Sequence, residues 1–200
     1  MKRNLGLWCF AGFVLVTLGG TLLHFVYDWS GGNTAVAVFS GVNESTWEHM
    51  KLLYWPMVAW AAVQSRFFRE YPNYWCVKLA GLVTGLVSIP LLFYGYNGAV
   101  GKSPDWLNIT FFFTAAGLAF WREGRLFARG GRRCRGKWLA VASIAAVGVL
   151  FAVFTFATPR LPLFRDPLTG TYGVEQQNVL VAARDLCYTQ ITIARCLYEM

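Results

Sequence analysis

Charge is what this chain has least of. Only 14% of its 200 residues are Asp, Glu, Lys or Arg, against about 25% in an ordinary soluble domain. With 56% hydrophobic residues, 17% aromatics and a mean hydropathy of +0.42, that scarcity excludes a freely soluble globular protein and makes lipid the natural solvent. Metal and redox signatures are also missing. Cys9, Cys76, Cys134, Cys187 and Cys196 form no C-x-x-C, and their odd number is no disulfide framework, so the expectation is five packing thiols. G-x-x-x-x-G-K-[ST], G-x-S-x-G and G-x-G-x-x-G do not occur. There is no fixed-period repeat and no low-complexity tract.

What is present are long apolar runs. A membrane-crossing helix needs about 20 mostly apolar residues. Leu5–Val26 supplies one, Leu52–Phe68 a shorter one interrupted by Pro56 and Gln64, and Cys76–Tyr96 a third. Trp106–Trp121 is Phe-rich and short, and Trp138–Ala157 is the cleanest. The first run is longer than the apolar core of a signal peptide and lacks an A-x-A site, so it reads as a retained helix. The predicted fold class is an all-α membrane protein, a bundle of about five transmembrane helices over residues 1–158. Residues 159–200 follow as an extracytoplasmic Pro/Gly-rich segment, with an amphipathic surface helix over Val179–Met200. Gly81 and Gly85 form a G-x-x-x-G that predicts a close helix contact.

Lys and Arg concentrate in alternate connections. Lys2 and Arg3 precede the first run, Arg66, Arg69 and Lys78 flank the second turn, and Arg122–Lys137 holds a dense basic cluster. Short basic loops stay in the cytoplasm, which predicts a cytoplasmic N-terminus and an extracytoplasmic C-terminus. The net charge of +8 is then a topology signal. Membrane lipid is the predicted partner, with anionic lipid at the Arg122–Lys137 loop. Nucleic acid is not.

One stretch breaks the apolar pattern: Val42-Asn43-Glu44-Ser45-Thr46-Trp47-Glu48-His49-Met50-Lys51. Ser45 and Glu48 match the S-x-x-E capping box, in which Ser45 accepts from the Glu48 amide and the Glu48 carboxylate reaches back to the Ser45 amide. Lys51 is expected to snorkel outward. The box leaves Asn43, Glu44, His49 and Lys51 over. The first run ends with His24 and Asp28, four apart and so on one helical face. A short connection must bring these groups together, and ionisable groups at membrane depth face a cavity or a partner. His24, Asp28, Asn43, Glu44, Glu48 and His49 are therefore the candidate polar cluster. His24, Asp28, Glu48 and His49 could hold a divalent metal, the only cofactor the cluster suggests. The spacing is neither H-E-x-x-H nor the E-x-x-H of di-iron bundles; a network that fixes helix packing is the favoured reading, with metal or a substrate site for a lipid headgroup as the alternatives.

The stretches "HFVYDWSG", "VNESTWEHMKL" and "PLFRDPLTGTYG" resemble a family of small bacterial multi-pass membrane proteins catalogued as a domain of unknown function, over about residues 1–173. The resemblance implies an integral protein of a bacterial cytoplasmic membrane, with its polar motif at the first two spans, and no activity. Two functions compete. The favoured one is a non-enzymatic component of transport, sensing or a scaffold. The other is a membrane-embedded metal-assisted hydrolase or headgroup transferase using the cluster.

Overall fold

A computed structural model describes residues 4–130, 134, 136–170 and 172–173. The helices in order are α1 Leu5–Trp29, α2 Thr34–Ala37, α3 Thr46–Ser65, α4 Tyr74–Ala99, α5 Asp105–Ala128 and α6 Lys137–Phe156, followed by a 3-10 turn at Pro162–Phe164. No strand occurs among the described residues. The all-α class holds, with α2 as an additional short helix in the first connection. The surface helix expected at Val179–Met200 lies outside the described residues, as do Cys187, Cys196 and Arg132, Arg133 and Arg135.

Three helices, α1, α4 and α6, are long and apolar enough to cross a membrane. Only 22%, 39% and 28% of their most apolar windows are buried within the chain. Few of their Leu, Val and Phe side chains are fully buried, and many, such as Leu18, Leu91 and Leu139, are exposed, where lipid can cover them but water would not. Helices α3 and α5 are comparable in length but carry Glu48 and Lys51, and Arg122, Glu123 and Arg125.

The five long helices alternate in direction, so the chain has two ends. The mouth gathers the end of α1, the start of α3, the end of α4, the start of α5 and the end of α6. The base gathers the opposite termini. Helices α4 and α5 make the closest pair, and α1 lies against α3 and α5.

Small residues permit that closeness. Gly81 and Gly85 both face inward on α4. A Cβ at Gly85 would lie 2.8 Å from Leu53 and 3.2 Å from the Ala119 methyl, and one at Gly81 would collide with the Glu123 side chain. On α5, Ala115, Ala116 and Ala119 are fully buried. Pro56 inside α3 removes the N–H that would bond the Leu52 carbonyl, and Gly20 of α1 packs onto that freed oxygen, where a Cβ would sit 2.8 Å away.

Two sequence expectations are corrected at the base. Cys76 and Cys134 are not packing thiols but a disulfide with Cα atoms 6.0 Å apart, tying the start of α4 to the α5–α6 connection. The Cys134 amide also donates to the Pro72 carbonyl at 3.3 Å. Two cysteines 58 residues apart carry no local spacing that could signal their pairing. Lys78 is not a surface cation flanking a turn. It is 3% exposed and pairs at 2.5 Å with Glu123 of α5.

Candidate functional site

The first connection is stitched to α1 by one hydroxyl. The Ser40 hydroxyl accepts from the Tyr27 amide at 2.9 Å and donates to the Leu23 carbonyl. It thus inserts between a helical donor and the acceptor four residues earlier, a recognised way of opening a helix locally. The Gly41 amide donates to the same Leu23 oxygen at 3.3 Å. These bonds hold the connection against α1 at the level of His24.

Asn43 then shapes the entry to α3. Its side-chain oxygen accepts from the Ser45 amide at 2.9 Å, an Asx turn. The Ser45 hydroxyl accepts from the Glu48 amide at 3.3 Å and caps the helix. Only half of the expected capping box forms, because Asn43 has already taken the Ser45 amide. The freed Glu48 carboxylate accepts instead from the Val42 amide at 3.0 Å and pairs with Lys51 at 2.6 Å.

Lys51 does not snorkel outward. It is fully buried, and its ammonium donates to the Ala37 carbonyl at 2.6 Å and the Thr155 hydroxyl at 3.3 Å, besides Glu48. Three N–H groups meet three acceptors. That satisfied geometry is what makes a buried lysine tolerable.

Turning Glu48 inward leaves Glu44 as the carboxylate between the two histidines. His24 Nε2 lies 3.2 Å from Glu44 Oε1, and His49 Nε2 lies 3.6 Å from Glu44 Oε2. The two rings are 5.9 Å apart. His49 Nδ1 is 3.0 Å from the Ser45 carbonyl, which can only accept, so that nitrogen carries the proton. The hydrogen bond from His24 holds the Glu44 carboxyl below the ordinary carboxylate range, outweighing the opposite effect of burial. Asp28 stays exposed on α1 and does not join the group.

Of the six candidate residues, the fold brings His24, Glu44 and His49 within 4.8 Å of one another as ligand-type atoms. Asn43 and Glu48 shape the helix start instead. Beside the group lies a half-open cleft of about 50 Å3, lined among others by Thr46, Asp105, Asn108 and Pro167.

One contributor escaped sequence reasoning. Asp166 is 2% exposed and accepts from the Leu168 and Thr169 amides at 2.7 and 3.2 Å. Its other oxygen is 3.5 Å from the Glu44 amide. Phe164 packs against Trp47 at 4.6 Å between ring centres, and the Tyr94 hydroxyl donates to the Pro162 carbonyl at 3.0 Å. The segment after α6 therefore folds back over the mouth. Its Asp-Pro-x-x-Gly turn was the available signal, but a turn does not say where it docks.

No match was found among curated proteins or solved structures. The profile of one family spans residues 1–174, which include every residue of the cluster and of the segment folded over it, and the chain therefore belongs to that family of unknown function, DUF6512.

Proposed function

We propose that this is a five-pass integral protein of a bacterial cytoplasmic membrane, with the base in the cytoplasm and the mouth outside, acting as a non-enzymatic binding component in transport, sensing or scaffolding. The observation that carries it is the convergence of His24, Glu44 and His49 beside a cleft at the mouth. Size favours binding over turnover of a metabolite. Ligand pockets for drug-sized molecules run about 300–1,000 Å3, whereas about 50 Å3 suits an ion and a few waters. For the base, anionic lipid is the proposed partner. An apolar groove of about 520 Å3 between α1 and α5 reaches Arg125 there, so an acyl chain and an acidic headgroup would both find contacts.

Topology labelling tests this reading. In a cysteine-free background, Lys102→Cys in the α4–α5 connection should react with an impermeant thiol reagent in whole cells, and Arg129→Cys at the end of α5 should react only after lysis. The reverse pattern inverts the protein and puts the cluster in the cytoplasm.

A further inference from the structure

We propose that His24, Glu44 and His49 bind one divalent transition-metal ion of the zinc class, with a coordination position open to the cleft. This rests on the reading of the mouth as a binding site and names its ligand.

The argument starts from protons and electron pairs. The Ser45 carbonyl fixes the His49 proton on Nδ1. In the neutral ring the Nε2 lone pair is then the atom turned toward Glu44 Oε2, 3.6 Å away. Two electron-rich atoms face each other across a gap that wants a cation. The same bond is the outer-shell support that zinc-ligating histidines ordinarily have: a ring N–H held by a backbone carbonyl, which fixes tautomer and orientation. His49 is thus prepared as a ligand before any ion arrives.

Zinc–nitrogen and zinc–oxygen bonds of about 2.0–2.2 Å at tetrahedral angles place neighbouring donors about 3.3 Å apart. His24 lies 3.2 Å from one Glu44 oxygen and His49 3.6 Å from the other, and the three ligand atoms all fall within 4.8 Å of one another, so a small inward movement of half-exposed side chains closes the set on an ion. His24 must present the Nε2 lone pair, so its neutral ring then keeps its proton on Nδ1. That nitrogen faces Gly41, where even a Cβ would lie 3.4 Å away, and glycine leaves the room.

The donor set also selects the ion. Two imidazoles and one carboxylate suit zinc and its first-row neighbours, whereas calcium and magnesium prefer all-oxygen shells. Three protein ligands leave a fourth tetrahedral position, and the cleft beside Glu44 and His49 admits water there. Backbone on both sides of Glu44 is held, by Asp166 at its amide and by the Asn43 turn at Ser45, so the carboxylate starts from an ordered loop.

The test uses the full chain in detergent, free of any polyhistidine tag and stripped by a chelator. Equilibrium dialysis against Zn2+ should load one ion per chain, and Co2+ should develop the visible bands of a four-coordinate site. Excess Ca2+ or Mg2+ should not displace either. His24→Ala, His49→Ala and Glu44→Gln should each weaken Zn2+ binding by about tenfold or more. Asp28→Asn, an exposed neighbour, should bind as wild type. Glu44→Gln keeps the size of a half-exposed side chain, so it serves if a histidine variant fails to fold. Absence of stoichiometric Zn2+ in the wild type, or equal binding by a folded Glu44→Gln, overturns the metal. If Lys102→Cys labels from outside in that case, the membrane reading stands without it. Labelling from the inside would sink that reading and leave a positive zinc result intact.

Discussion

The two buried lysine–glutamate pairs sit at opposite ends of the bundle and are built differently. Near the mouth, Glu48 and Lys51 are three residues apart on one helix, and every ammonium proton has an oxygen. At the base, Lys78 and Glu123 come from different helices. There the ammonium has one carboxylate oxygen and the faces of Tyr74 and Phe120 at 5.7 and 5.8 Å. Glu123 Oε1 has no hydrogen-bond partner among the described residues. A buried ion pair repays its desolvation only when the remaining donors and acceptors are also satisfied. The mouth pair meets that condition and ties α2, α3 and α6 together. The base pair meets it in part and joins only α4 to α5.

Substitution at the two pairs is the sharpest way to break the comparison. Single changes should be costly at both. Lys51→Met and Glu123→Leu should each destabilise by about 3–5 kcal/mol in equilibrium unfolding in detergent, because each strands a buried charge. Removing both charges should separate the ends. Lys78→Met with Glu123→Leu should come within about 1 kcal/mol of wild type or exceed it. Lys51→Met with Glu48→Leu should stay well below, since the Ala37 carbonyl and Val42 amide lose partners worth about 1–3 kcal/mol each. Equal outcomes for the two doubles would erase the distinction.

A second, smaller effect concerns the base alone. The proposed topology puts it in the cytoplasm, where disulfides are rare, yet Cys76 and Cys134 are bonded. Both thiols should react with a permeant maleimide in untreated cells and become protected after a thiol oxidant. Removing the bond from purified protein should then cost about 2–4 kcal/mol. A bond already complete in untreated cells would place the base outside and reverse the topology.

The smallest effect belongs to the half-exposed cluster. Glu44 titrates below its ordinary range because His24 donates to it. A carboxyl lowered by folding stabilises the fold above its unfolded value, and that contribution disappears as pH falls through the folded one. The metal-free melting temperature should therefore drop less steeply on acidification in Glu44→Gln than in wild type. A pH profile unchanged by the substitution would remove the His24–Glu44 bond from the account.

Much of the mouth was legible because its signals are local. Ser45 caps α3 as its sequence context suggested, and the short first connection brought His24 to Glu44 and His49. The misreadings are instructive for the same reason. Both Asn43 and Glu48 are suited to the Ser45 amide, and spacing alone does not say which takes it. Asn43 does, which sends Glu48 inward to Lys51. Asp28 is one helical turn from His24 in α1 but stays exposed, outside the group.

By itself the sequence determined the helical class, the long apolar helices that need lipid on their outer faces, and the place along the chain where polar residues interrupt them. Each follows from composition and periodicity, which act over a few turns. Only the tertiary structure decided that Lys78 meets Glu123 across 45 residues, that Cys76 meets Cys134, and that Asp166 closes over Glu44 across 122. Those meetings depend on how closely Gly81, Gly85 and the alanines of α5 let the helices approach, and on where the chain returns after α6. Such choices are made by packing in three dimensions and leave no period in the sequence.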